Sequence, residues 1–397
     1  MPIVVFALAA AVFAQGTSEF MCSGLLAPIA ADTGVSIGTA GLLTSLFAVG
    51  MIIGAPTMAV TAGRLPTRRA LTGFLLIFLI AHVIGALTTT FAVLLATRAI
   101  AAIANAGFLA VALAALPALV GPDRVGRATS VVLAGVTLAC IAGVPAGTVL
   151  GQLWGWPAAL WAVVLVGLPA LAALWWLVDS GEITTASGDS VRREWRVLGD
   201  SRVRTLLVSG ALVNAATFAA FTYLGVLVTD VSGAAAQWIS VALAAFGLGS
   251  LLGVSMAGRY ADRFAERIVV LGAVTLVPLW LCTGWAARSL PALLIAVVLA
   301  GALSFAVGST LIGLIVRHAS AAAPRLGGAL ATTALNIGAA AGPAIAGLAI
   351  GDDPRAALWI AAALAAFAAL RTVLPRRVGA ADLAPAMDKQ HRTRYEN

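Results

Sequence analysis

Charge is what this chain has least of. Of its 397 residues only 10% are Asp, Glu, Lys or Arg and 61% are hydrophobic, whereas soluble domains carry about 25% charged residues. A soluble globule of this length could not hide so much apolar surface, which excludes a soluble enzyme or binding module and leaves an integral membrane protein. Cysteine is scarce as well. Cys22, Cys140 and Cys282 are odd in number and all lie in apolar stretches, so they read as small core hydrophobes and not as disulfides or metal ligands. The loops hold no metal cluster, no nucleophile with a base, and no stretch long enough for a further domain, so no enzyme chemistry, metal or cofactor is expected. The formal charge of +8 would suggest nucleic acid in a soluble protein, but the positions of the charges point elsewhere.

Twelve apolar stretches can be marked, at about 3–30, 37–61, 70–89, 92–120, 128–150, 157–178, 205–229, 237–257, 268–287, 291–316, 326–350 and 356–374, each near the ~20 residues that a bilayer crossing needs. Threaded in and out, the basic residues sort to one side. Arg64, Arg68 and Arg69 follow segment two, Arg124 and Arg127 segment four, and Arg192, Arg193, Arg196, Arg202 and Arg204 segment six. Arg259, Arg263 and Arg267 follow segment eight, Arg317 and Arg325 segment ten, and six more close the chain. Against them stand Arg288 and Arg355 on the other side and Arg98 inside a segment. The positive-inside rule therefore predicts both termini in the cytoplasm, and the excess charge serves topology with no nucleic acid implied.

One sizeable hydrophilic interruption, 179–204, divides the segments six and six. We expect an N-terminal six-helix half (1–178), a cytoplasmic linker (179–204), a C-terminal half (205–374) and a cytoplasmic tail (375–397). Compared at a shift of 195 residues the halves repeat. Gly54 and Gly63 with Ala-Gly-Arg answer Gly249 and Gly258 with Ala-Gly-Arg, and AGVPAGTVLG is echoed by AAAGPAIAG, Pro145 by Pro343. Repeated halves that rock about a central site are a transporter layout.

Among sixteen acids only Glu19 lies inside a segment. The N-terminal stretch lacks the basic start of a signal peptide and is expected to be kept. An acid buried at that depth costs roughly 2.5–3.5 kcal/mol on insertion scales, so it should face protein or a watered cavity. Helical spacing puts Gln15, Gly16, Glu19 and Ser23 on one face. Desolvation favours the neutral acid, whereas water or a cation favours the carboxylate; a cavity opening alternately to each side could load and unload a proton there. A neutral acid bonded between helices is the competing reading. At the repeat position the second half has Asn214, which carries no proton, so coupling should belong to the first half. Arg98 is the only intramembrane base and could face the cavity, with Asn105 on its face, or snorkel outward. His82 reads as a packing residue near a helix end.

Segment five contains GVTLACIAGVPAGTVLG, with Gly135, Gly143, Pro145, Gly147 and Gly151. Small residues at this spacing allow close helix approach and Pro145 bends the rod. Ordinary helix packing accounts for glycine counts alone, but the order of these residues, with the basic turn after segment two, the Arg98 segment and the six-plus-six layout, resembles the major facilitator superfamily. Within it the chain is similar to the twelve-helix drug:proton antiporters. GTSEFMCSGLLAPIAADTGVS, GAPTMAVTAGRLPTRRAL and AGVPAGTVLGQLWGW look like the chloramphenicol-efflux proteins and the related arabinose-efflux-like permeases.

That resemblance implies an all-α fold of twelve transmembrane helices in two pseudo-symmetric halves, in a bacterial inner membrane, working as a monomer by alternating access. It implies proton-coupling roles for Glu19 and Arg98, an antiporter motif at Gly143 to Gly151, and cytoplasmic gate loops at Arg64, Arg68, Arg69 and at Gly258, Asp262, Arg263. The usual loop after helix two carries an acid, yet none stands between Asp32 and Asp123; only the second half keeps Gly258-x-x-x-Asp262-Arg263. Ala102 replaces the usual glycine of the fourth-helix motif.

Segment seven places Asn214, Thr217, Phe218, Phe221 and Gly225 on one face. Aromatics with a few hydroxyls and amides suit an amphiphile held by apolar contact, though core packing of the two phenylalanines fits as well. With Gln15, Glu19, Ser23 and Asn105 these form the expected binding set. The expected partners are the lipid bilayer, protons and a small, uncharged, partly aromatic drug such as chloramphenicol; an exporter of a sugar or native metabolite is the alternative.

Overall fold

The computed structural model describes residues 1–61, 66–178, 195–320, 326–351 and 353–373, without the side chains of 55, 56, 58–61, 122, 126, 195, 262, 320, 326 and 327. Arg64, the segment 179–194, the tail from 374 and the Asp262 side chain lie outside this description.

Among the described residues, twelve helices are long and apolar enough to cross a membrane. They are α1 (Ile3–Gly24), α2 (Ile37–Gly54), α3 (Thr67–Leu87), α4 (Phe91–Val120), α5 (Arg127–Trp154), α6 (Pro157–Leu177), α7 (Ser201–Thr222), α8 (Gln237–Ala261), α9 (Arg263–Ala286), α10 (Leu290–Ala319), α11 (Gly328–Ala349) and α12 (Ala356–Val373). In hydrocarbon each peptide group must bond within its own segment, which is why an apolar chain of this kind folds as helices. Ile77, Ile80, Ile84 and Leu87 on α3 and Leu165, Leu168 and Trp176 on α6 remain exposed, as a lipid-facing surface requires.

The helix ends follow local chemistry. The Asp200 side chain accepts from the main-chain N–H groups of Arg202 and Val203 and so caps α7. Regular helix in α1 stops at Met21, tightens into a 3-10 turn at Cys22–Gly24, and resumes as Leu26–Thr33 until Gly34, whose φ of 68° ends it. The first apolar segment is thus a helix with a break just beyond Glu19, where a single rod is the simplest expectation. In α5 a π-helical turn, Ala139–Gly143, ends two residues before Pro145. Proline has no N–H for the preceding turn, and widening that turn absorbs the missing bond.

The stretch after α8 departs from expectation. The residue pattern predicts a loop around Gly258, Asp262 and Arg263, but helical bonding runs through Gln237–Ala286, with Phe264 off the helical angles at φ −128° and ψ 18°. These residues therefore sit on a bent helix. Its composition explains this, since residues 259–267 hold good helix formers and no glycine or proline.

Two seams carry the internal repeat into packing. A Cβ added at Gly143 of α5 would collide with the Thr17 hydroxyl of α1, and one added at Gly338 of α11 with the Ala211 carbonyl of α7. Residues 143 and 338, like the Glu19 and Asn214 positions on the helices they touch, are 195 apart in sequence. The first six helices enclose one core around Leu8, Phe78, Phe108 and Val132. The core of the last six, around Phe221, Leu243 and Trp280, also takes in Leu26, Ala30, Ala40, Ala48 and Val144 from the first six.

Those shared residues lie toward the face opposite the arginine-rich turns, and there the two sets of helices meet closely. A Cβ at Gly38 would strike the carbonyl of Gly347. The buried Tyr223 hydroxyl packs against Gly41 and donates to the Pro343 carbonyl at 2.9 Å. Gln152 donates to the Ala236 carbonyl at 2.7 Å. On the arginine-rich face the described polar contacts stay within one set, with Arg68 over Trp175 at 5.1 Å and Arg202 paired to Glu266 at 2.6 Å.

Gly143→Val should overpack the α1–α5 seam and cost about 1–3 kcal/mol. The expected outcome is a lower midpoint of thermal unfolding in detergent, whereas Gly258→Ala, at a helical position with open space around it, should not lower the midpoint.

Candidate coupling and binding site

One turn of α1 carries two different surfaces. Ser18 and Glu19 turn toward α3 and α4, and Phe20 turns toward α7. The first surface is organised by Arg98, which is only 2% exposed. Its Nη1 donates to the Ser18 hydroxyl at 2.7 Å and its Nη2 to the Ser18 main-chain carbonyl at 2.9 Å, with a longer 3.4 Å contact to the Glu19 carbonyl. The guanidinium carbon stands 4.3 Å from the centre of the Phe47 ring, a cation–π arrangement that partly replaces lost hydration. Arg98 does not snorkel. Its long side chain is held inside the bundle.

The chain of hydrogen bonds continues outward. His82 Nδ1 lies 2.7 Å from the Phe78 carbonyl, which can only accept, so Nδ1 carries the proton. In neutral imidazole Nε2 is then the acceptor, and the Ser18 hydroxyl, 2.5 Å away, donates to it while accepting from Arg98. Every described link has a donor and an acceptor. His82, 3% exposed and expected to be a packing residue, is a member of this network. Ser18 was absent from the sequence-based set because helical spacing placed it one position off the Gln15–Glu19–Ser23 stripe.

Glu19 is half-buried. Its carboxyl lies near the Asn105 side chain and Arg98, yet Glu19 and Arg98 form no ion pair. Arg98 spends its fork on Ser18.

The second surface is an aromatic cage. Phe20 stands 5.7 Å from Phe218 and 6.3 Å from Phe221, Phe218 and Phe221 are 6.0 Å apart, and Phe246 lies 4.9 Å from Phe221 and 6.0 Å from Phe305. Thr217, Cys140, Gly247 and Ser250 complete the lining, around a cavity of about 10 Å³. That is room for about one water, so the rings are packed on one another.

A chain-wide comparison settles the family. The model of the Major Facilitator Superfamily matches residues 8–238 and 228–394. The chain belongs to the major facilitator superfamily.

Among its relatives, the "Chloramphenicol resistance protein" of Streptomyces lividans is 47% identical over 390 residues, covering 97% of this chain and 99% of that one. A chloramphenicol efflux pump of Mycobacterium tuberculosis is 31% identical over 358 residues, covering 86% and 84%. The crystal structure of a bacterial homolog of the human lysosomal transporter Spinster shares the fold, with a TM-score of 0.77 at 16% identity over 94% of this chain and 96% of that one. This superfamily member is accordingly a multi-pass transporter, not an enzyme.

The remaining candidates of this transporter divide. Thr217, Phe218 and Phe221 line the cage together with Phe20, Phe246 and Phe305, whose isolated positions in apolar runs carried no sequence signal. Asn214 does not join them. Its amide donates to the Leu335 carbonyl of α11 at 2.7 Å, so it pins two helices together. Gln15 is buried with neither amide atom bonded, and the Ser23 hydroxyl is buried without a partner among the described residues. Ser23 sits in the 3-10 turn that ends α1, its carbonyl 3.0 Å from where a Cβ on Gly225 would be. Of the motif glycines, Gly135, Gly143, Gly147 and Gly151 all face α1 or the turn after it, through Ala9, Thr17, Met21 and Leu25. Arg68 stacks on Trp175 and Arg69 is exposed; Arg263 is 5.3 Å from the Phe264 ring. Cys22 is buried, but Cys282 is exposed, so not every cysteine serves as a core residue: Cys282 occupies the outer side of α9.

Arg98→Lys keeps the charge but loses the fork, because an ammonium on a flexible stem cannot bridge Ser18 Oγ and O while covering Phe47. Losing charge-assisted bonds of about 1.5–3 kcal/mol each should lower the unfolding midpoint of the purified protein, measured in detergent, by several degrees.

Proposed function

We propose that this transporter is a proton-coupled antiporter that exports small, largely neutral, amphiphilic drugs, chloramphenicol foremost, by alternating access, with Glu19 as its protonation site. The observation that carries this reading is the adjacency of Glu19 and Phe20. Consecutive residues of α1 face in turn a buried arginine network and an aromatic cage made mostly by the other six helices. Any movement of α1 that opens the cage must also change the surroundings of the carboxyl, and water or a cation at a carboxyl decides whether it holds its proton. The relatives named for chloramphenicol resistance and efflux support the substrate class.

The cage chemistry fits that class. Five phenylalanines supply apolar and edge-to-face contact, with Thr217 and Ser250 as polar points. A drug-sized ligand needs a pocket of roughly 300 Å³ or more, so the rings must part to admit it. We place the arginine-rich turns and both termini in the cytoplasm of a bacterial inner membrane, with six-helix halves at 1–178 and 205–374 joined by a linker, working as a monomer. The close contacts at Gly38–Gly347 and Tyr223 then form a seal on the extracytoplasmic side. If one proton enters as one neutral molecule leaves, net charge moves inward and the membrane potential assists export.

Glu19→Gln at equal expression should abolish protection of a drug-sensitive host against chloramphenicol while leaving drug counterflow in proteoliposomes intact. Uphill export of a neutral drug by the Gln protein at the parental rate would overturn the assignment of Glu19. Phe221→Ala should raise the half-saturating drug concentration about 10-fold, as loss of roughly 1.4 kcal/mol of apolar contact does, with little change in the maximal rate.

A further inference from the structure

We propose that Ser18 and His82 form a clamp that holds the Arg98 guanidinium off the Glu19 carboxyl, and that this clamp sets the pH range over which exchange runs. The inference rests on the proton-coupling reading above and names the residues that tune it.

The geometry is specific. Arg98 is buried, within the electrostatic reach of Glu19, and free of any ion pair with it. A guanidinium beside an acid in a medium of low dielectric would ordinarily pair with it. Here both terminal nitrogens are engaged by one residue, Ser18, through its hydroxyl and its carbonyl. The hydroxyl can accept from Arg98 in a fixed direction only because its own proton is committed to His82 Nε2, and His82 is fixed in turn by the Phe78 carbonyl and the Phe78 ring, 4.2 Å between centres. A hydroxyl without that acceptor would rotate and hold the guanidinium less firmly. Ser18 and His82 are positioning residues that act through Arg98.

Among the described residues, the charged and titratable groups around the clamp are few. Glu19 comes from α1, His82 from α3, Arg98 from α4 and Cys140 from α5, while α6 contributes Leu160 beside His82 and Arg98. In this arrangement His82 serves as a neutral acceptor and carries no proton to or from the drug cycle. When Arg98 is unclamped it can swing to the Glu19 carboxylate and compete with the proton, so that loading Glu19 demands more acid.

The test is drug–proton exchange by purified protein in proteoliposomes across a range of pH, with chloramphenicol as probe. Ser18→Ala and His82→Leu should each move the half-maximal point toward acid, by on the order of a 10-fold rise in proton concentration, while drug counterflow and its half-saturating concentration stay within about 2-fold of the parent. His82→Gln, whose amide oxygen can still accept from Ser18, should restore the parental profile. An unmoved profile in both Ser18→Ala and His82→Leu would overturn the clamp, as would a shift in His82→Gln equal to that in His82→Leu, which would make His82 itself a titrating group. Glu19→Gln run alongside separates the two levels. If that variant still exports uphill with the parental pH dependence, the coupling reading fails; if it does not and the clamp variants leave the profile unmoved, only the clamp fails.

Discussion

A single buried cation organises the first six helices. Removing a guanidinium from water costs several kcal/mol unless other groups take over its hydration, and in this transporter they do so in part, at the two terminal nitrogens and without a carboxylate, while Nε stays buried without a partner among the described residues. Ser18 supplies two oxygens, Phe47 a ring face, and His82 the acceptor that orients the serine. Three helices, α1, α3 and α4, are thereby tied at one depth. The arrangement leaves Glu19 close to a positive charge and yet unpaired, which is the condition under which an acid can respond to changes in its surroundings.

The position of that acid links the two halves of the molecule. Glu19 belongs to a network confined to the first six helices, whereas Phe20 belongs to a cage built mainly by α7, α8 and α10. The helix between them cannot flex freely, because the α5 glycines bring its neighbour into direct contact along Ala9, Thr17 and Met21. The break in α1 at Cys22–Gly24 and the π turn at Ala139–Gly143 lie at the same level as the cage. Irregular backbone at membrane depth is tolerated where it is enclosed by protein; the break at Cys22–Gly24 is fully buried, and the π turn buries Ala139 and Gly143.

Pseudo-symmetry was only partly preserved as chemistry. The α1–α5 seam is repeated by α7–α11, and Asn214 occupies the place of Glu19, but its amide is tied to Leu335 in α11. What is an ionisable side chain in the first half has become a structural bond in the second. The face opposite the arginines is closed by direct backbone approach at Gly38 and Gly347 and by the Tyr223 hydroxyl, none of which depends on charge.

Much of this architecture was legible in the residues themselves. Apolar run length, arginine placement and the 195-residue repeat depend on local composition and on order along the chain, so they specified twelve spans, the six-plus-six division and the isolation of Glu19 and Arg98 without any knowledge of contacts. Thr217, Phe218 and Phe221 were legible for the same reason, because three neighbours on one helix share a face by periodicity alone. Ser18, His82, Phe20, Phe246 and Phe305 were not. Each stands on a different part of the chain from the groups it meets, and whether an isolated polar or aromatic side chain packs, faces lipid or joins a site is decided by which helices touch and at what rotation. The stripe prediction erred by one residue at Ser18, and the bond from Asn214 to Leu335 was invisible, because both depend on the close approach of neighbouring helices. Composition and order determined that this chain crosses a membrane twelve times around one lone acid; tertiary packing alone decided what that acid faces, since a helix dictates its own spacing but not its neighbours.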